Sequence, residues 1–251
     1  MRLAPQFRWS YSCALLAAAL VAPSFVGGCN TSPGKPAADS AAVAPGDITD
    51  FPTLYSNNCA ACHGPNGQGG PAIALADPVY LSIVDDSALR KVIATGVPHT
   101  AMPAFAQSSG GMLTEKQVDV LAATIRANWA KPGALAGAVP PPYATTSPGD
   151  AARGAQTYKT FCAACHGPEG HGSPKASDIA DTSFLALVSD QYLRTLVIVG
   201  RPELSAPDWR SDVPGHPLSD QEITDVVAWL TAQRVKNPGQ PYPVAENASH
   251  H

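Results

Sequence analysis

Residues 58–71 read NCAACHGPNGQGGP, and residues 161–174 read FCAACHGPEGHGSP. Each stretch holds Cys-x-x-Cys-His: Cys59, Cys62 and His63 in the first, Cys162, Cys165 and His166 in the second. Residues three apart lie on one face of a helical turn, so both sulfurs of a unit point the same way.

That pattern is the attachment signature of a c-type haem. The two thiols bond the vinyl groups along one porphyrin edge, and the histidine that follows reaches the iron from that side. A redox dithiol or half a zinc site needs no histidine at that place, and zinc would draw both Cys-x-x-Cys units into one site. Here each unit sits in its own repeat with its own histidine. The sequence therefore predicts two covalently attached haem c groups, one on Cys59 and Cys62 and one on Cys162 and Cys165. His63 and His166 are the expected axial ligands.

The likeness extends outward from the motif. Cys59–Pro71 matches Cys162–Pro174 at an offset of 103, and Asp77–Phe105 matches Asp181–Trp209 at 104. Leu113–Ile125 then matches Leu218–Leu230 at 105. A repeat of this period predicts two homologous domains of about 85 residues. We place them at 50–131 and 148–236. Between them, residues 132–147 (PGALAGAVPPPYATTS) have the composition of a linker along which the domains could swing.

Within each repeat the pattern is helical. DDSALRKVIATG (85–96) and SDQYLRTLVIVG (189–200) carry apolar residues near a 3.6 period and stop at glycine. The last helix opens on a capping box in both copies, Thr114-Glu-Lys-Gln117 and Ser219-Asp-Gln-Glu222. No alternating strand pattern occurs, so the fold class is all-α. Phe51 aligns with Gly154 and Thr124 with Trp229, which predicts that first and last helices cross with large and small residues exchanged.

The chain has 251 residues, 45% hydrophobic and 14% charged, with a net charge of −4. That balance gives no sign of a nucleic-acid partner. Arg2, Arg8 and the apolar run CALLAAALVAPSFV (13–26) read as an export signal over 1–28. The run ends VGGC, which resembles a bacterial lipobox and makes Cys29 the expected site of lipidation, with residues 29–49 as a flexible tether. Residues 237–251 read as a disordered tail.

Both repeats resemble class I cytochrome c, with Cys-x-x-Cys-His near the start, a Gly/Pro-rich loop after it and a Met-Pro loop before a final helix. The resemblance covers 50–131 and 148–236, and in detail is to the two-haem cytochromes of bacterial respiratory chains. It implies an electron carrier rather than an enzyme, exported and lipid-anchored at the periplasmic or outer face of a membrane. Membrane respiratory complexes would be its donor and acceptor, with no small-molecule substrate. It implies Met102, before Pro103, as the sixth ligand of the first haem, with Met112 as its rival. It further implies that the carbonyls of Pro71 and Pro174 receive the histidine Nδ1–H, and that Phe105 and Trp209 pack beside the porphyrin. Arg90 and Arg194 are candidates to pair with haem propionates; the other reading of both is an exposed helix arginine.

The second repeat departs from the family at one place. Residues 94–105 read ATGVPHTAMPAF and residues 198–209 read IVGRPELSAPDW, so Ala206 stands where Met102 does. From Leu113 to His251 there is no methionine. The second iron could be five-coordinate or carry water, or bind His216. It could also bind Lys175 or Lys236, or a donor from the other domain or a partner. His171 falls on the proximal side. An open position beside a His/Met haem would also suit a two-haem peroxidase or a gas or redox sensor.

Overall fold

The computed structural model describes residues 43–239 apart from 99, 212 and 237. The export signal, Cys29, most of the tether and nearly all of the tail lie outside the described residues. From Pro45 to Gly239 the described residues form one compact unit.

Among the described residues, ten α-helices fall into two matching sets. The first is α1 (Phe51–Asn58), α2 (Ala60–His63), α3 (Pro78–Ile83), α4 (Asp86–Thr95) and α5 (Glu115–Trp129). The second is α6 (Ala151–Phe161), α7 (Ala163–His166), α8 (Thr182–Leu187), α9 (Asp190–Val199) and α10 (Asp220–Thr231). Among the described residues there is no strand, only isolated bridges at Ala106–Leu113 and Arg201–Ala206. The fold is all-α, a helical bundle of the cytochrome c kind.

Short-range chemistry sets the helix ends. Asp50, Asp77 and Asp85 accept from the first-turn N–H groups of α1, α3 and α4, as Asp150, Asp181 and Ser189 do for α6, α8 and α9. Each such cap is worth about 1 kcal/mol. Both expected capping boxes form, Thr114 with Gln117 and Ser219 with Glu222. Helices α4 and α9 stop at Gly96 (φ 64°) and Gly200 (φ 71°), where a Cβ would strike the backbone of the following loop.

The first and last helices of each set cross, and the exchange of sizes is realised in the second. A Cβ on Gly154 would lie 2.0 Å from the Asp225 carbonyl oxygen and 2.9 Å from the Trp229 Cβ. Trp229 then stacks on Tyr158 with ring centroids 4.1 Å apart. In the first set Phe51 supplies the bulk, and its ring meets Tyr55 at 5.5 Å and Trp129 at 5.8 Å.

The buried core is continuous between the sets. Ile198, Val199, Trp209, Leu218 and Ile223 join Leu54, Tyr80, Leu89, Leu121 and Ile125 in one cluster. A smaller cluster of Leu185, Leu193, Val227 and Leu230 lies within the second set. The segment 132–147 is part of this packing, since Leu135, Ala138 and Tyr143 rest against the main cluster.

Candidate haem sites

Helices α2 and α7 are single turns that carry the motif. The N–H of Cys62 donates to the Cys59 carbonyl at 3.2 Å and that of Cys165 to Cys162 at 3.1 Å. This winding places both cysteines of a unit and the next histidine on one turn. None of the four thiols is in a disulfide. Burial, then the neighbouring cysteine, pushes Cys59 and Cys162 up to about 11, so both stay protonated at neutral pH. Among the described residues no three His, Cys, Asp or Glu side chains converge as a metal ion would need. The two Cys-x-x-Cys units are thus not assembled into one zinc-type site.

The ring of His63 is buried, and burial lowers its pKa. Its Nδ1 lies 2.8 Å from the Ile73 carbonyl, and the Nδ1 of His166 lies 2.9 Å from that of Ser177. A carbonyl can only accept, so Nδ1 carries the proton and the Nε2 lone pair is left free for iron. The donor set of each turn, two thiols on one face and one oriented imidazole, fits a covalently held haem.

The carbonyls of Pro71 and Pro174 are not the acceptors that the resemblance implied. The loop after α2 folds back earlier, with the Ala72 N–H on the Cys62 carbonyl at 2.9 Å. That turn carries Pro71 past the ring and presents Ile73. Ile73 and Ser177 correspond at the 104 offset that begins beyond the prolines.

Tyr55 and Tyr158 also belong to the sites, which the motif alone did not reveal. Each stands four residues before the first cysteine, and its hydroxyl donates to the carbonyl of Gly64 (2.8 Å) or Gly167 (2.5 Å). They hold the end of the attachment turn against the preceding helix. The recurrence of Tyr-x-x-x-Cys in both repeats was the available signal.

Met102 is half-buried, whereas Met112 is 80% exposed. The loops holding Met102 and Ala206 share one backbone hydrogen bond. The Val97 N–H donates to Met102 O at 3.0 Å, and the Arg201 N–H to Ala206 O at 3.0 Å. Phe105 is half-buried, and Trp209 is buried in the main cluster. His216 has Nε2 at 3.0 Å from the Glu222 carboxylate, and its ring stands edge-on to Phe161, centroids 5.0 Å apart.

Arg90 and Arg194 take corresponding partners on the last helices. Arg90 pairs with Glu115 and Asp119; Arg194 pairs with Asp220 and donates to Thr224. Neither hydrogen-bonds a residue of an attachment turn.

A family model described as cytochrome C oxidase, cbb3-type, subunit III matches residues 46–123 and again 149–230, together more than half of the chain. The chain belongs to this family. It is 31% identical over 132 residues to a cbb3-type cytochrome c oxidase subunit CcoP of Azospirillum sp., a match spanning 48% of this chain and 40% of that one. It is 25% identical over 192 residues to a cytochrome bc1 complex cytochrome c subunit of Mycobacterium bovis, spanning 74% and 64%. It thus spans about half the length of these relatives. A chain of the Kuenenia stuttgartiensis reducing HAO-like protein complex is similar at 17% identity and a TM-score of 0.40, covering 74% of this chain and 96% of that one.

Proposed function

We propose that this protein is a two-haem c-type cytochrome that carries single electrons between respiratory-chain components at the outer face of a bacterial membrane. The observation that carries the reading is the pair of Cys-x-x-Cys-His turns, each with its histidine Nδ1 committed to a carbonyl. Membership of an oxidase-subunit family supports the electron-transfer role and a membrane respiratory complex as partner.

A bound haem c supplies a reversible one-electron iron couple. Cys59 and Cys62, and Cys162 and Cys165, tether it. His63 and His166 present Nε2 to the iron with a fixed ring orientation. Met102 would hold the iron through a soft thioether, which would favour the reduced iron and a high potential. Ala206 brings no donor atom, so the second site is tuned low. No reaction on a small molecule is assigned to the chain. The Val26-Gly-Gly-Cys29 stretch tethers it to the membrane through a lipid on Cys29.

Ala206 also favours a second reading, in which an open sixth position serves peroxide reduction or gas sensing. His216 has Nε2 on Glu222, so it could close that position through Nδ1, or through Nε2 by leaving Glu222.

Pyridine haemochrome analysis and mass spectrometry of the purified protein test the main reading. Two covalent haems are expected, with one lost on Cys59→Ala/Cys62→Ala and the other on Cys162→Ala/Cys165→Ala. A chain exported with free thiols would sink it. Carbon monoxide binding to the reduced protein tests the second reading, since a closed pair of low-spin haems binds none and would exclude it.

A further inference from the structure

The two repeats carry an arginine at one place and use it differently. In the first, Arg90 spends its donors on two carboxylates, Glu115 and Asp119, and stays 40% exposed. In the second, Thr224 stands where Asp119 does and carries no charge. A guanidinium has five N–H donors, and Arg194 turns the remainder on the backbone of residues 142–143. It donates to Pro142 O at 2.8 and 3.2 Å and to Tyr143 O at 3.1 Å, and is only 3% exposed. Gln191 Nε2 adds a bond to Tyr143 O at 2.7 Å.

The backbone of this strap is thus pinned to α9 of the second repeat, while the Tyr143 side chain packs against the main cluster. There burial, and then the Asp85 carboxylate at the start of α4, push its phenol up. A second tie crosses the same junction. Arg201 Nη2, in the loop that holds Ala206, donates to Gly70 O in the loop after α2 at 3.3 Å. The repeats also share one buried cluster. Domains joined by a loose linker move by default, and a large apolar junction is what stops them.

We propose that Arg194 is a positioning residue that locks the two repeats into one rigid unit by pinning the 142–143 strap between them. The inference deepens the two-haem reading and rests on it for its consequence: electrons pass between the haems at fixed geometry, without a domain swing. Hinged domain motion is damped by solvent; transfer inside a packed unit is not.

The test uses the full-length holoprotein. After pulse reduction, the rate of haem-to-haem equilibration is followed in buffer and in sucrose of several-fold higher viscosity. The wild-type rate is expected to be unchanged. Arg194→Ala should become viscosity-dependent and several-fold slower in sucrose, with Arg194→Lys between the two. A wild-type rate that falls with viscosity, or an Arg194→Ala rate identical to wild type, would overturn the proposal. If Arg194→Ala does not fold, limited proteolysis of the wild type decides: a pinned strap resists, and rapid native-state cleavage between 139 and 145 refutes it. Counting fewer than two haems sinks the two-haem reading alone, because the proteolysis and a single unfolding transition still report on the lock.

Discussion

Met102 and Ala206 occupy one backbone position in two loops. The carbonyl of each accepts from the N–H five residues earlier, at 3.0 Å in both cases. Both loops leave a positive-φ glycine and return through an aromatic N–H, Phe105 to Ile93 O at 3.2 Å and Trp209 to Ile198 O at 3.0 Å. The second loop has kept this carbonyl bond, although Ser205 takes a positive φ and the aromatic N–H returns one residue later along the helix. Ala206→Met should place a thioether at the second site. In the oxidised holoprotein the methionine–iron charge-transfer band should roughly double, and the second haem's potential should rise. An unchanged spectrum would mean that the loop does not aim this position at the iron. Met102→Ala should abolish the band.

Gly154 tests the helix crossing. In an open helix Gly→Ala stabilises by about 1 kcal/mol. Here the new methyl would sit 2.0 Å from the Asp225 carbonyl oxygen, so α6 and α10 must part. Gly154→Ala is expected to destabilise by about 1–3 kcal/mol, read as a lower melting temperature. A gain in stability would refute the close approach.

The tyrosine hydroxyls should matter nearly equally in both repeats. Burial pushes Tyr55 and Tyr158 up to about 12, so each remains a donor at all working pH values. Tyr55→Phe and Tyr158→Phe each remove one of two donors to a buried carbonyl, leaving Gly64 O with the Gly67 N–H and Gly167 O with the Gly170 N–H, at a cost of about 0.5–1.5 kcal/mol in chemical denaturation. Haem incorporation should fall with it, and a phenylalanine variant as stable as wild type would remove the assigned role.

Asp225 should govern part of the acid limb. Burial pushes its carboxyl up, but bonds from Arg153, the Asp150 N–H and Gln221 outweigh this and hold it below the ordinary carboxylate range. A depressed folded pKa gives stability that is full above the unfolded value near 3.9 and is lost as pH falls through the folded value. Asp225→Asn should lower stability at pH 7 and flatten its decline below about pH 4. Parallel wild-type and variant curves across that range would contradict the assignment.

Much of the site was legible because its chemistry is local. The Cys-x-x-Cys-His turns, the capping boxes and the glycine stops each depend on residues a few positions apart. The roles of Arg126 and Arg234 were not legible. Arg126 donates to Leu81 O and, at 2.6 Å, to Val84 O, and pairs with Asp86 at 2.7 Å. Arg234 makes the corresponding bonds to Leu185 O at 2.9 Å and Val188 O at 2.7 Å, and pairs with Asp190. Yet the repeat aligns Arg126 with Thr231, so the same job is done from residues three positions apart. The indole beside the attachment turn shifts likewise. Trp129 lies over Tyr55 and Gly67, and Trp229 over Tyr158 and Gly170, from unaligned places.

The sequence by itself determined the helical class, the two attachment turns and the missing thioether, since covalent spacing and composition need no tertiary contact. It also read 132–147 as a free linker, because proline and glycine content reports chain stiffness and not what the chain touches. Only the tertiary structure decided that Ile73 and Ser177 orient the histidines, that Arg194 grips the strap, and that the repeats share a core. Each depends on groups distant in sequence meeting in space, where the spare donors of one arginine find the carbonyls of the strap.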